Sequence, residues 1–356
     1  MASIFRRFAS KPETRAVQPT IPSRAATSVT PDSALSLTAV YRAVQILATP
    51  ISKMTINTYR FATGMEMKIE NPLLINKPSL IDTHRDFIFQ TVTSLALEGN
   101  AFWYKSLNLT GTGVNNLTLL PASSVSVQYN EAGTAKVFYY EGKDVTDRIE
   151  HLKLFSRPGD LRGVSPIAAA YKDIAAAIEL RDYATNWFSA AGVPTGILTT
   201  NAMLTAAEGE AITNNWHNKQ QNRQVAVLGN GFGYQQVALS PKDALFTEVQ
   251  NQAVQSIARL FGIPARLLIT SVPGSSDTYT NLQDENQVFY RHTLMAYTDA
   301  IADAFSNCLP RGTRVEFDFE HLFKSDVAER YNYYKTGVDG GWITVDEVRT
   351  KEGLNV

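Results

Sequence analysis

The sequence predicts an α+β fold, because helical and β patterns occupy separate parts of the chain. Short β runs separated by Gly and Asn turns fill residues 100–150, and helical spacing of apolar residues dominates from about residue 165 onwards. The chain has 356 residues, and 44% of them are apolar. It is therefore long enough for two or three domains of roughly 100–200 residues each, and it can bury a core.

The front part begins with a helix, a strand and a second helix. Apolar residues recur at helical spacing over 35–54, and Ser36 or Thr38 is placed to cap that helix. The segment KMTINTYRF predicts a strand, and a second helix is expected over 82–98, ending at Gly99. Three β runs follow in NAFWYKSL, NLTLLPASSVSVQY and AKVFYYEG, which predict a small antiparallel sheet.

The middle of the chain predicts two long helices with a compact insert between them. Ser165 and Pro166 form a helix start, and this helix runs for about 26 residues, or roughly 39 Å. Within 193–240 we expect a strand in PTGILTT, a helix opened by a Thr205–Glu208 capping box, and a hairpin in QVAVLGNGFGYQQVAL. A further helix begins after Ser240 and Pro241.

The last part predicts a third long helix over about 282–308, a strand and two short helices. Residues 314–319 alternate, with Val315, Phe317 and Phe319 on one face of the strand. A second capping box, from Thr344 to Glu347, opens the final helix.

The first 33 residues differ from the rest in composition. They carry five Arg or Lys against Glu13 and Asp32, with many Ser, Thr and Pro. Such a segment is typical of an organelle transit peptide or of a disordered arm, here with a short amphipathic tip at Ile4, Phe5 and Phe8. We favour the disordered arm.

Bulk composition excludes several classes of protein. The formal net charge of −1 argues against a general basic surface that grips nucleic acid or anionic lipid. One cysteine, Cys308, cannot form an intrachain disulfide and fits a reducing compartment. No run approaches the ~20 apolar residues of a membrane helix, so no membrane partner is expected.

The search for catalytic groups is negative. The five histidines show no metal-binding spacing such as HExxH, and Cys308 has no adjacent histidine, so a small buried side chain is expected there. The glycine-rich segment 229–233 lacks the lysine and hydroxyl of a phosphate loop and is interpreted as a turn. Glu316, Asp318 and Glu320 share one strand face, for which solvation is favoured over cation binding. We therefore expect no catalytic residue, no metal and no cofactor.

The segment between the second and third long helices is notable for its charge. From Leu267 to Tyr290 there is no Lys or Arg, whereas Asp277, Asp284 and Glu285 are present. A segment that holds nucleic acid tightly carries cations, since phosphate neutralisation supplies most of the sequence-independent affinity. Long loops without secondary structure are uncommon in compact domains and are often functional or disordered.

A family resemblance rests on three segments in this order: RGVSPIAAAYKDIAAAIELRDYATNWFSAAGVPTGIL, QVAVLGNGFGYQQVALSPKDALFTEVQNQAVQSIARLFGIPARLL and NLQDENQVFYRHTLMAYTDAIADAFSNCL. Their distinctive pieces are the Gly-x-Ser-Pro helix start, the aromatic helix end before AGVPTGIL, and IARLFGIPARLL. Earlier, YRAVQILATPISKM and NPLLINKPS with LEGNAFWY match the same family's opening. From residue 34 to about 323 the chain resembles the portal proteins of tailed bacteriophages, specifically the HK97-like family.

The resemblance implies an α+β portal fold with an α/β wing, long stem helices, a small αβ clip insert and a helical crown. Its implied parts are a disordered arm (1–33), a wing (34–163), a stem helix (164–192), a clip (193–240), a second stem helix (241–264), a tunnel loop (265–281), a long wing and crown helix with a wing strand (282–323), and a small crown (324–356). The chain is short for the family, so any crown is small.

The resemblance also implies the function. Portal proteins form a ring, usually a dodecamer, at one capsid vertex of the virion, and double-stranded DNA passes through its channel during packaging and ejection. The implied partners are further copies of the chain, DNA in transit without sequence specificity, the terminase large subunit, the major capsid protein and the head–tail adaptor. Assembly would take place in the host cytoplasm, and the ATPase would be the separate terminase.

Two sets of site residues are implied in the same way. The tunnel-loop residues that would line the channel are Ser275, Ser276, Asp277, Thr278, Tyr279, Thr280 and Asn281. The clip residues that would face the terminase or adaptor are Asn214, His217, Asn218, Lys219 and Gln220. In a ring each side chain recurs once per subunit, so a loop without Lys or Arg would line the channel with hydrated, non-adhesive groups.

Two alternatives stay open from the sequence. A different head–tail connector or minor capsid protein would not need the arrangement of stem, clip and stem. A mitochondrial enzyme with a transit peptide would fit the N-terminal segment, but the missing active-site constellation counts against it.

Overall fold

The computed structural model describes residues 29–62, 65–111, 113–188, 196–200, 203–221, 231–236, 246–268, 285–319, 327–352 and 354. Its α-helices are α1 (Pro31–Leu35), α2 (Thr38–Ile51), α3 (Leu73–Asn76), α4 (His84–Glu98), α5 (Pro166–Ala169), α6 (Tyr171–Phe188), α7 (Ala206–Gln221), α8 (Phe246–Phe261), α9 (Ala265–Leu268), α10 (Met295–Cys308), α11 (Val327–Asp339) and α12 (Val345–Glu352). Its strands are β1 (Thr55–Ala62), β2 (Met65–Ile69), β3 (Asn100–Leu107), β4 (Val114–Leu120), β5 (Val125–Tyr129), β6 (Lys136–Tyr140), β7 (Lys143–Asp144), β8 (Ile149–Lys153), β9 (Gly196–Thr199), β10 (Gly233–Gln236) and β11 (Thr313–Asp318).

The first helix predicted from the sequence is α2, and a short helix that was not predicted, α1, precedes it. Thr30 caps α1, because its hydroxyl accepts a hydrogen bond from the Ser33 amide at 3.1 Å and Ser33 Oγ accepts one from the Thr30 amide at 2.8 Å. Three residues of the predicted arm, 31–33, therefore belong to a helix. The chain turns at Ser36, and α2 starts at Thr38 without a side-chain cap. The prediction that Ser36 or Thr38 caps one helix is thus wrong.

Helix α4 and strand β3 follow the sequence prediction closely. Thr83 caps α4, and Gly99 ends it with φ of 67°, a conformation that glycine adopts without steric cost. Strand β3 then carries Trp103, whose side chain is fully buried and whose Nε1 donates to Thr91 Oγ1 on α4 at 3.1 Å. The Trp103 ring packs against Phe87 and Phe305, with ring centroids 5.1 and 4.7 Å apart. The main core therefore lies between α2, α4, β3 and α10.

The β segments form two small antiparallel sheets between residues 100 and 153, where one was predicted. One sheet has the strand order β4-β3-β8 and the other β5-β6-β7. They meet through aromatic side chains, since Phe102 of β3 contacts Phe138 of β6 edge-on at 6.2 Å. A separate small core cluster that includes Phe102, Leu120 and Val125 fills this contact.

A third sheet joins the two ends of the fold. Its strand order is β11-β1-β2, and the antiparallel register places Phe317 opposite Ile56 and Val315 opposite Thr58. These four residues are buried, as the alternation of the β11 sequence predicted for its apolar face. Strand β1, near residue 55, thus pairs with strand β11, near residue 315. The chain between them therefore starts and ends in the same packed unit.

The helix predicted from Ser165 onwards is interrupted early. Ser165 caps α5 as predicted, with its hydroxyl accepting from the Ala168 amide at 3.1 Å. At Ala170 the backbone departs from helical geometry (φ −100°, ψ 24°), and α6 begins at the next residue. The predicted helix is therefore a short helix and a long one joined at Ala170.

The later elements match the predictions with one addition. Residues 285–289 are helical and lead through a π-helical turn, Tyr290–Leu294, into α10. The turn was not predicted. The capping box at Thr344 is confirmed, because its hydroxyl and amide both bond to the Glu347 carboxylate at 2.8 Å.

Candidate functional site

The predicted channel-lining residues lie outside the described residues. They are Ser275, Ser276, Asp277, Thr278, Tyr279, Thr280 and Asn281. What the structure does describe is the chain on either side of them, up to Leu268 and again from Glu285. These flanking residues define the base from which the predicted tunnel loop departs.

The approach to this base is fixed by the end of α8. Gly262 has φ of 63°, its amide donates to Arg259 O at 3.3 Å, and the Ile263 amide donates to Ala258 O at 2.9 Å. This pair of hydrogen bonds is the Schellman arrangement that terminates a helix. A Cβ at Gly262 would lie 2.6 Å from Thr293 Oγ1, so glycine is also required for close packing. Thr293 Oγ1 donates to Gly262 O at 2.7 Å and ties the end of α8 to the π-helical turn.

Arg266 joins the two sides of the base. Its Nε forms an ion pair with Glu285 Oε2, and its Nη2 donates to Asn286 Oδ1 at 2.8 Å. Burial raises the pKa of the neighbouring Tyr290 hydroxyl, and the Arg266 charge opposes this rise. The cation nearest the start of the Lys- and Arg-free segment is therefore matched by a carboxylate. Sequence reasoning missed this contact, although an arginine before the segment and acidic residues at its far end were available as a signal.

The predicted clip residues lie on one helix. Asn214, His217, Asn218, Lys219 and Gln220 all belong to α7. The Asn214 and Asn218 side chains are exposed and share one helix face at i and i+4 spacing. The side chains of the other three lie outside the described residues.

The unit around α7 is otherwise built as predicted where it is described. Thr205 and Glu208 form the expected capping box, with Thr205 Oγ1 donating to Glu208 Oε2 at 2.7 Å. Strand β10 pairs antiparallel with β9, with Gly233 opposite Thr199. The turn and first arm of the predicted hairpin, 222–230, lie outside the described residues.

The two predicted stem helices, α6 and α8, pack on each other and on the core. The residues that they bury are Ile174, Ala177, Ile178, Ile257, Ala258 and Phe261. Their other faces carry exposed residues such as Tyr183 and Val249. Among the described residues, each of the two helices therefore has one buried face and one face with exposed residues.

A hydrogen-bonded joint connects the front sheets to these helices. Asn100 Nδ2 donates to Gly163 O at 3.0 Å, and Asn100 Oδ1 accepts from the Gly163 amide at 2.6 Å. Ser165 Oγ donates to Leu97 O at 2.8 Å. A Cβ at Gly163 would lie 2.3 Å from Gly99 O, and one at Gly99 would lie 2.2 Å from Val164 O. The segments LEGN and RGVSP are therefore two halves of one contact, although its residues Asn100 and Gly163 are 63 positions apart in the sequence.

His151 completes this joint as a neutral imidazole. Its ring stacks on Phe102 with centroids 4.3 Å apart, and its Nε2 is 3.0 Å from Asn100 Oδ1. Burial, together with the positive charges of Lys153, Lys136 and Arg162, lowers the pKa of His151 to about 3. Because Asn100 Oδ1 is already an acceptor for Gly163, Nε2–H of His151 is the donor.

The chemistry of the described residues gives no reaction centre. No group of three or more His, Cys, Asp or Glu that could hold a metal occurs among them. Cys308 is buried, and burial raises its pKa to about 12, so its thiol stays protonated and inert. Glu316 forms an ion pair with Arg314, whereas Glu320 lies outside the described residues. In the part of the chain that the structure describes, no helix is long and apolar enough to cross a membrane.

Comparison with known proteins gives a consistent result. A family model described as phage portal protein matches residues 38–353. The probable portal protein of Streptomyces phage phiC31 is 26% identical over 354 residues, covering 92% of this chain and 76% of that protein. The crystal structure of an HK97 family phage portal protein from Corynebacterium diphtheriae has a TM-score of 0.60 at 17% identity, covering 83% of this chain and 98% of that one. A chain in the neck of a native gene transfer agent particle, computed with C12 symmetry, has a TM-score of 0.60 at 20% identity, covering 89% and 90%.

Proposed function

The chain belongs to the phage portal protein family, and from this premise we propose that it forms the ring at one capsid vertex through which double-stranded DNA enters and leaves the virion. The single observation that carries the proposal is the family match over residues 38–353. The likeness to a particle neck with C12 symmetry supports a ring of twelve copies. The protein acts as a conduit and docking platform, and a separate terminase supplies ATP hydrolysis.

The proposed parts follow the course of the chain. Residues 34–163 form the wing, α6 and α8 lie in the stem, and 193–240 form the clip that faces the terminase large subunit and later the head–tail adaptor. Support comes from the pairing of α6 with α8 and from the separate β9–β10 and α7 unit between them. Asn214 and Asn218 are proposed as part of the docking surface, because both are exposed on one face of α7.

The proposed tunnel loop spans 265–281, of which 265–268 form the short helix α9 at its base, and Ser275 to Asn281 line the channel. DNA must slide through the ring, and a cation in the loop would recur in every subunit as a collar of positive charge that holds phosphates. The proposal is supported by the absence of Lys and Arg between Leu267 and Tyr290. It is supported further by Arg266, whose charge is matched by Glu285 at the base.

The proposal is tested by imaging the purified protein with negative-stain electron microscopy and weighing it by native mass spectrometry. We expect rings with a central channel and a mass near twelve times 39.3 kDa. A uniform monomer would require the same measurement with the major capsid protein added. A compact dimer or tetramer without a channel would contradict the proposal.

A further inference from the structure

An apolar groove lies where the beginning of α2 meets α6 and α8. The apolar residues that line it include Leu37, Ala39, Ala177, Leu180, Val254 and Ile257. The groove has a volume of about 120 Å³. An engineered cavity of ~150 Å³ in another protein binds benzene, so this groove has room for about one aromatic ring.

Arg181 forms one wall of the groove and fixes its geometry. Its Nη1 donates to Ser36 O at 3.1 Å and to Ser36 Oγ at 3.0 Å, which ties α6 to the turn before α2. Its Nε donates to Asp182 Oδ1 at 3.3 Å. The Asp182 side chain is 58% exposed and pairs with Arg181, so the rim of the groove carries an ion pair beside its apolar lining.

The segment of chain that begins beside the groove has a matching composition. Residues 1–28 lie outside the described residues, and the described chain starts at Val29. Near the N-terminus, Ile4, Phe5 and Phe8 have the i, i+1, i+4 spacing of one helix face, with Arg6 and Arg7 beside them. The rim carboxylate is already paired with Arg181, so the match is between the apolar residues of this segment and the apolar lining of the groove.

The short length of chain between the apolar residues Ile4, Phe5 and Phe8 and the start of the described chain favours binding in the groove of the same chain. Ser36 lines the groove, and α1, with five residues, separates it from the start of the described chain by about 8 Å. About 20 residues separate Phe8 from Val29, and a flexible chain of that length has a typical end-to-end distance of roughly 25 Å. The local concentration of the apolar tip at its own groove is therefore on the order of millimolar, so even a weak contact is populated.

We propose that Ile4, Phe5 and Phe8 dock in the groove of their own chain, against α2, α6 and α8. The arm then covers the apolar surface and bridges three helices through their side chains. This inference concerns a single chain and does not depend on the proposed ring.

The test measures how well the arm protects a thiol placed in the groove. In the full chain with Ala253→Cys, we expect maleimide to label the groove thiol slowly, and the Phe5→Asp, Phe8→Asp pair to raise the rate at least 5-fold. The native Cys308 gives little background, because it is buried and its pKa is about 12. Thr14→Asp with Thr20→Asp adds the same charge elsewhere in the arm and should leave the rate unchanged. Met203→Cys, at a fully exposed site, should be labelled at one rate in every arm variant.

A photo-crosslinking amino acid at position 5 identifies what the arm contacts. The expected product is a crosslink within one chain to peptides containing Ala177–Arg181 or Gln250–Ile257. A crosslink between two chains, or a groove thiol whose labelling ignores the Phe5 and Phe8 changes, would overturn the proposal. A groove thiol labelled as fast as the exposed control at position 203 would overturn it as well.

Discussion

The Arg266 guanidinium and the Glu285 carboxylate form an ion pair that joins the chain on either side of residues 269–284. Arg266 also bonds Asn286, so one side chain holds the first two described residues after this gap. In the proposed portal, this contact sets where the tunnel loop leaves the wall of the channel and where it returns. The contact can therefore be tested separately from the loop itself.

We expect Arg266→Gln to lower the free energy of unfolding by about 1 kcal/mol, because the Arg266 side chain is 24% exposed and bonds two partners. Urea unfolding of Arg266→Gln, Glu285→Gln and the double variant gives the coupling energy. Arg157→Gln, which breaks the more exposed Arg157–Asp160 pair, is the matched control and should cost less. A coupling energy of zero between Arg266 and Glu285 would contradict a stabilising role for this ion pair.

We expect Ser275→Lys with Asp277→Lys to impair DNA packaging and to leave ring assembly intact. Each copy would add lysines to the proposed lining, and bound phosphates would slow translocation. Packaging is measured by DNA protected per capsid, and assembly by electron microscopy. Glu131→Lys, at an exposed turn between β5 and β6, provides the control for added charge. Normal packaging by the loop variant would count against the assignment of this segment.

We expect Gly163→Ala to lower the free energy of unfolding by roughly 2–3 kcal/mol, because its Cβ would lie 2.3 Å from Gly99 O in a joint without room to shift. Gly209 in α7 has open space around it, so Gly209→Ala is the control and should be neutral or slightly stabilising. Thermal and urea unfolding measure both. Equal stability of the two variants would mean that the joint between β3 and α5 is not tightly packed.

We expect His151 to make the protein less stable as pH falls. The pKa of His151 is about 3 in the folded chain and about 6.5 when unfolded, so the unfolded state binds the proton first. Its contribution is fully present above pH 6.5 and is lost progressively below it, by roughly 2–3 kcal/mol at pH 4.5. His151→Gln keeps a donor for Asn100 but does not titrate, so its unfolding free energy should change less between pH 7 and 4.5. Parallel pH profiles of the two proteins would contradict this.

Local signals in the sequence account for most of the elements but not for their contacts. Gly99 marks the end of α4 because only glycine adopts its φ without cost, and the capping boxes at Thr205 and Thr344 mark helix starts through bonds within three residues. The break at Ala170 lies in an alanine-rich run with high helix propensity. No local signal marks it, and the bonds that position α5 come from Leu97 and Asn100, far away in the sequence.

The site was predictable to a smaller extent than the fold. The charge pattern of 267–290 follows from composition alone, whereas the Arg266–Glu285 pair depends on how two helices converge. The division of residues 100–153 into two sheets depends likewise on the packing of Phe102 against Phe138 and His151. Periodicity gives the face of a strand, but not its partner across the fold.

The pairing of β1 with β11 has a mechanical consequence. The segment from α5 to the π-helical turn is connected at both of its ends to the same packed unit. Within that unit, β1 pairs with β11, more than 250 residues away in the sequence. A pulling force on the segment therefore divides between two covalent connections. Neither connection can be extended unless the contacts at Gly163 break or α10 separates from Trp103. Friction from a moving polymer would therefore load the main core, in which Trp103 packs against Phe305 of α10.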